Sequence, residues 1–212
     1  MPDFTYDDSV FINVPFADEY QELLYATVFV VLDCGFFPRC ALEEFDSGEV
    51  RIEKIIKQIK GSRYGIHDIS YVKLDPASNL PRFNMPLELG IFIGAKQFGY
   101  GKHKNKEYLI LDKEKYRYQS MCSDIAGQEI RAHGLQIEGV IKSIRNWLSR
   151  KRPQFRYPTW KKIHKRYEVF SKQLPSYSEA LTQDSEDLTF NDYSAIVSDW
   201  LELNSWGARS SK

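Results

Sequence analysis

The sequence predicts an α/β domain with a flavodoxin-like open parallel sheet, helices on both faces, and a helical C-terminal extension. Three observations predict this. Short β-branched or aromatic runs alternate with helical patterns from Val10 to about residue 149. Those runs are buried-strand in character, nearly continuous rather than alternating, as parallel strands covered on both faces are. The chain of 212 residues is 42% hydrophobic and carries 13 Tyr, 13 Phe and 4 Trp, enough for a sizeable core, which excludes global disorder.

The elements follow in order. Val10-Phe11-Ile12-Asn13-Val14 is a strand stopped by Pro15. Asp18 to Leu32 is a nearly all-apolar helix capped at Cys34-Gly35. Phe36 to Ala41 is a second strand. Glu49 to Lys60 is amphipathic, with isoleucines on one side, lysines on the other and Gly61 as its stop. Tyr64 to Ile69 is a third strand. A turn-rich segment, Asp75-Pro76-Ala77-Ser78-Asn79, leads to a helix from about Pro86 to Phe98. Glu107 to Leu111 is a fourth strand, and residues 136–149 form another helix. Ligands of such sheets sit outside the carboxyl ends of the strands, where Asn13, Arg39, Asp68 and Asp112 fall.

Charge is balanced overall, 29 Lys+Arg against 29 Asp+Glu, which argues against a nucleic-acid coat or a basic membrane binder. The balance hides segregation. Residues 1–50 hold eleven acids and one base, Arg39; residues 145–173 hold ten bases and one acid, Glu168; residues 174–206 hold seven acids and no base. A boundary near Arg150-Lys151-Arg152-Pro153 divides an α/β domain, 8–150, from an extension, 151–212. The two charged blocks either pair or lie on solvated faces, or they bind a polyanion or a partner protein. In the extension, Phe155, Tyr157, Trp160, Tyr167 and Phe170 interleave with the bases. Nucleic-acid stacking is one reading and a helical hairpin covering the sheet is the favoured one. The apolar runs are too short to span a bilayer, and the acidic Met1-Pro2-Asp3 start does not read as a secretory signal. Cys34, Cys40 and Cys122 lack CxxC spacing, which fits a reduced cytoplasm and no zinc site. No metal and no cofactor is expected.

The most informative stretch is Arg82-Phe83-Asn84-Met85-Pro86-Leu87-Glu88-Leu89-Gly90. Pro86 suits the first helical position, which places Glu88 in the first turn of an apolar helix. A carboxylate there is expensive without partners, and the helix N-terminus favours its ionised form. Glu88 either caps its own turn or is presented at the mouth of a pocket, with Asp68 converging on the same rim. The expectation is that the dipole and local donors keep Glu88 ionised at neutral pH.

Asn13-Val14-Pro15-Phe16 after strand one, His67-Asp68-Ile69-Ser70 after strand three, and Glu88-Leu89-Gly90 with Ala95 resemble the nucleoside 2-deoxyribosyltransferases and the bacterial TIR-like nucleotide-binding proteins. The resemblance covers roughly residues 9–130. It implies a nucleophilic Glu88 and an Asp68 that binds or protonates the base. It departs at Arg82, where the transferases usually carry an aspartate six residues before the glutamate. What it implies is chemistry at an N-glycosidic bond: hydrolysis or transfer on NAD, a nucleoside or a nucleotide, the NAD or nucleotide being substrate or ligand. Bacterial TIR-like relatives add a setting in anti-phage defence. The alternatives are a non-catalytic nucleotide sensor and an assembly scaffold.

Cleaving that bond builds positive charge on the sugar, which a carboxylate stabilises or traps, while a second group assists the leaving base. Glu88 and Asp68 are the expected catalytic pair. Arg39, Arg82 and backbone amides are expected to meet phosphates, and Asn13, Phe16, Ser70 and Asn84 to line the site. Asp124, Gln128 and His133 either bind base or ribose, or belong to a helix that Asp124 caps at Ile125 and that ends near His133. His67 reads as an orienting or core residue, Cys34 and Cys40 as packed thiols, and Gly99-Tyr100-Gly101-Lys102 as a turn. The expected partners are a nucleotide or nucleoside and, through the charged extension, a second copy or another protein.

Overall fold

The computed structural model describes residues 5–43, 48–71, 74, 77, 79–181 and 187–206. Five strands, β1 (Ser9–Asn13), β2 (Phe37–Arg39), β3 (Tyr64–Asp68), β4 (Glu107–Asp112) and β5 (Ile130–Ala132), form one parallel sheet. Their order, β2-β1-β3-β4-β5, is the flavodoxin-like order, whose reversal of direction lies between β1 and β3. Asn13 is in register with His67 across that reversal.

The fifth strand corrects the sequence reading. No helix starts at Ile125: a short 3-10 turn, Ser123–Ile125, is followed by β5, held to β4 at Ile110↔Ile130 and Asp112↔Ala132. Asp124 lies within that turn and caps no α-helix.

Side-chain alternation sorts the sheet's two faces. Val10, Ile12, Tyr64, Ile66, Leu109 and Leu111 face α1 (Gln21–Asp33) and α4 (Ile137–Leu148). Phe11 joins Ile55, Ile59 and Phe92, from α2 (Arg51–Gly61) and α3 (Asn84–Phe98), on the other face. α1 is rich in β-branched residues yet helical, because it is buried almost all round and packing outweighs propensity. It ends in a Schellman motif: Gly35, at φ +75°, donates to Leu32 O, and Phe36 N–H reaches Val31 O.

The C-terminal helices α5 (Trp160–Ala180) and α6 (Phe190–Leu203) do not cover the sheet as expected; they roof α1 and α4. Phe29 of α1 meets Tyr167, Phe170 and Trp200 with ring centroids 5.3–6.0 Å apart. The extension therefore shares one core with the α/β domain. Its basic block is tied to that domain by Lys151–Glu107, Arg152–Asp8 and Arg166–Asp33 ion pairs. Among the described residues, no helix is long and apolar enough to cross a membrane. Asp75, Pro76 and Ser78 of the turn-rich segment lie outside the described residues.

Candidate functional site

Two polar clusters stand at the carboxyl edge, one on each side of the sheet. The first is built on Asp68, the last residue of β3. Its Oδ1 accepts from the Ser70 amide at 2.9 Å and from the Ser70 hydroxyl. Its Oδ2 accepts from the Tyr20 hydroxyl and lies 3.0 Å from His133 Nε2. The Leu135 amide donates to His133 Nδ1 at 3.1 Å, which leaves the ring proton on Nε2, directed at Asp68 and at Ser70 Oγ, 2.9 Å away. Burial works to raise the Asp68 pKa, but the hydrogen bonds from His133, Ser70 and Tyr20 outweigh it and hold the carboxyl below its ordinary value. Burial, then the neighbouring carboxylate, pushes the Tyr20 phenol far up, so it remains a donor. Asp68 is thus an ionised acceptor saturated with donors. It has no proton to give a leaving base, and the hydrogens of Tyr20, Ser70 and His133 that meet it are hydrogen-bond donors to its ionised form.

The second cluster surrounds Glu88. α3 starts at Asn84, two residues before Pro86, because Leu87 N–H already closes a turn onto Phe83 O. Pro86 is tolerated there since first-turn amides have no intrahelical acceptor. Glu88 consequently sits in the second turn rather than the first, farther from the helix terminus than expected. It is 3% exposed and has no hydrogen-bond partner among the described residues. Burial pushes its carboxyl up from 4.5 to about 7, opposed by the charge of Arg51 at the start of α2. The expectation that Glu88 is held firmly ionised is therefore corrected: desolvation outweighs the Arg51 charge, and the carboxyl is pushed up to about 7. Arg51 also lies over the Phe16 ring, 5.9 Å from its centroid. Cys40, just after β2, feels the Glu88 charge, and burial pushes its thiol up to about 12, which makes it a packed thiol.

Asn13 fastens this side together. Its amide nitrogen donates to Met85 O at 2.9 Å and to His67 Nδ1 at 3.0 Å, so β1 and β3 fix the start of α3. His67 is buried, and burial with the nearby Lys106 charge lowers its pKa to about 3. It is a neutral core residue that orients Asn13.

The other expected site residues divide. Ser70 and Asp68 are joined, and Asn13 supports the helix that carries Glu88. Glu88 and Asp68 share no partner: the two carboxyl groups belong to separate clusters. Arg39 is held by Glu43 at 2.8 Å, and its Nη1 would lie 3.9 Å from a Cβ at Gly61, at the end of α2 opposite Arg51. Arg82 and Asn84 are exposed before and at the start of α3. Phe16 lines an apolar cavity of about 150 Å³ with Leu24, Tyr25 and Tyr193. Gln128 and His133 line a separate cleft of about 800 Å³ beside β5, while Asp124 is exposed. Tyr20 and Arg51 were not legible as site residues; the only signal was that each opens the segment following a strand at the carboxyl edge.

Comparisons with family models, with curated proteins and with solved structures give no match to this chain. Among the described residues, no group of three or more His, Cys, Asp or Glu is placed to hold a metal ion.

Proposed function

We propose that the chain breaks N-glycosidic bonds of a nucleotide or nucleoside, NAD included, with Glu88 as the carboxylate that meets the sugar. The observation that supports this is Glu88 itself: a nearly buried carboxyl group without a hydrogen-bond partner among the described residues, titrating at about 7. Such a group costs stability, and sites of chemistry are where that cost is retained.

As the C1′–N bond breaks, the base leaves with the bonding pair and positive charge builds at C1′. Ionised Glu88 stabilises that charge or bonds C1′ directly. Water then bonds C1′, displacing the Glu88 carboxylate where it had bonded, and the carboxylate takes the water's proton. From NAD the nicotinamide leaves neutral and needs no proton. A purine does need one, which neither the ionised Asp68 nor the Tyr20 phenol, pushed far up, is suited to give, so a base that leaves neutral is favoured. A cationic nicotinamide ring beside Glu88 also favours its ionised form. The resemblance to the deoxyribosyltransferases and TIR-like proteins supports the same substrate class, and with it a setting in anti-phage defence.

The test is incubation of purified protein with NAD and a panel of nucleosides, following free base by chromatography. Release from one of them, cut at least ~100-fold by Glu88→Gln, is expected, the scale of losing one charge-stabilising group. Wild-type turnover in the variant, or tight binding with no release by the wild type, assigns the chain to nucleotide sensing instead.

A further inference from the structure

On a surface helix the face turned away from the core is normally charged. α3 departs from this. Its core face carries Met85, Leu89 and Phe92. At 3.6 residues per turn, Phe83, Leu87, Gly90, Ile91, Gly94 and Phe98 fall within one arc of about 100° on the opposite side. The only charged residues of the helix, Glu88 and Lys96, lie outside that arc. Phe83, Leu87 and Phe98 are 55%, 56% and 83% exposed, and Tyr100, just past the helix, is 87% exposed. A Cβ added at Gly90 would meet nothing within 4 Å, and one at Gly94 would meet only the Phe98 ring at 4.0 Å. The other largely apolar helix, α1, is roofed by α5 and α6; α3 packs on β1, β3, α2 and the turn Gly101–Asn105, and Phe83, Leu87 and Phe98 stay exposed.

We propose that the outer face of α3 binds a second copy of this chain, the two α3 helices crossing antiparallel about a two-fold axis at the level of Phe92. In that arrangement Gly90 of one copy faces Gly94 of the other, and Leu87 packs toward Phe98. The stripe reads bulky, glycine, glycine, bulky from either end, so it is its own complement, as an isologous contact requires. The two glycines let the helix backbones approach closely. Taking roughly 200 Å² for an aromatic side chain and somewhat less for Leu87, the exposed parts of Phe83, Leu87 and Phe98 offer roughly 350 Å² of apolar surface, nearly half of the roughly 800 Å² that each partner buries in a standard interface. Ile91 and the glycine backbone add to this. The proposal does not depend on the catalytic reading.

Sedimentation velocity of the full chain at micromolar concentrations tests it. The wild type is expected to sediment as a dimer. Gly90→Gln has room in the single copy but fills the crossing point; Leu87→Glu places a charge in it. Each is expected to weaken the dimer at least ~30-fold, the scale of losing an interface hot spot, with an unchanged circular-dichroism spectrum. A monomeric wild type, or a dimer that both variants leave intact, overturns the proposal. So does a monomer that instead adsorbs to lipid vesicles through this face.

Discussion

Glu88→Gln should change stability in a way that depends on pH, and the size follows from the structure. Burial raises the carboxyl from 4.5 to about 7 in the folded chain. Between those values the folded state binds a proton that the unfolded state has released, so wild-type stability falls as pH rises through this window. Above both values the accumulated loss is about 3 kcal/mol, at ~1.4 kcal/mol for each pH unit. Gln carries no such proton. At pH 5 the variant replaces one neutral group by another and its stability should lie close to the wild type's. At pH 8 it should be favoured by about 2.5 kcal/mol relative to that comparison. Urea denaturation at the two pH values, followed by tryptophan fluorescence, reads this difference directly. A variant that tracks the wild type across the window to within about 0.5 kcal/mol would refute the reasoning, because it would mean that the ionised Glu88 carboxylate is already satisfied.

Asp68→Asn removes the charge that four donors converge on and turns a donor toward donors; about 2 kcal/mol should be lost, and an unchanged denaturation midpoint would contradict the network. Gly139→Ala should destabilise rather than stabilise α4, by at least ~1 kcal/mol, since its Cβ would stand 2.4 Å from His133 O. A raised melting temperature in that variant would show that the loop after β5 yields. Phe170→Ala opens the shared core beneath Phe29, Tyr193 and Trp200 and should cost about 4 kcal/mol. A loss below 1 kcal/mol, on the order of a surface change, would mean that the extension is only loosely docked.

β1, β3 and β4 were legible because burial on both faces leaves its mark on the sequence, and the short edge strand β2 falls within the expected Phe36 to Ala41. β5 was not: Ile130-Arg131-Ala132 is three residues of a half-buried edge strand, too short to show a period, and only pairing with β4 makes it a strand. The extension was legible as helical from its amphipathic pattern, but its docking on α1 and α4 was not, since an apolar stripe does not name its partner. In the site, Glu88 stood out as a carboxylate in an apolar helix. Its exact turn was misplaced because proline fits any position whose amide has no acceptor. The saturation of Asp68 was invisible for a different reason. Its cluster joins residues 48 apart, Tyr20 and Asp68, and 63 apart, Ser70 and His133, and local pattern holds no record of such pairs.

The central claim is that Glu88 acts as a carboxylate at a glycosidic carbon, and its most direct test is the pH profile of base release by the wild type and Glu88→Gln side by side. A group that must be ionised and titrates at about 7 predicts a rate that climbs through that pH and levels above it. The variant should lie at least ~100-fold lower at the plateau. A wild-type profile that is flat through neutrality, or a variant that follows the wild type, would contradict the account.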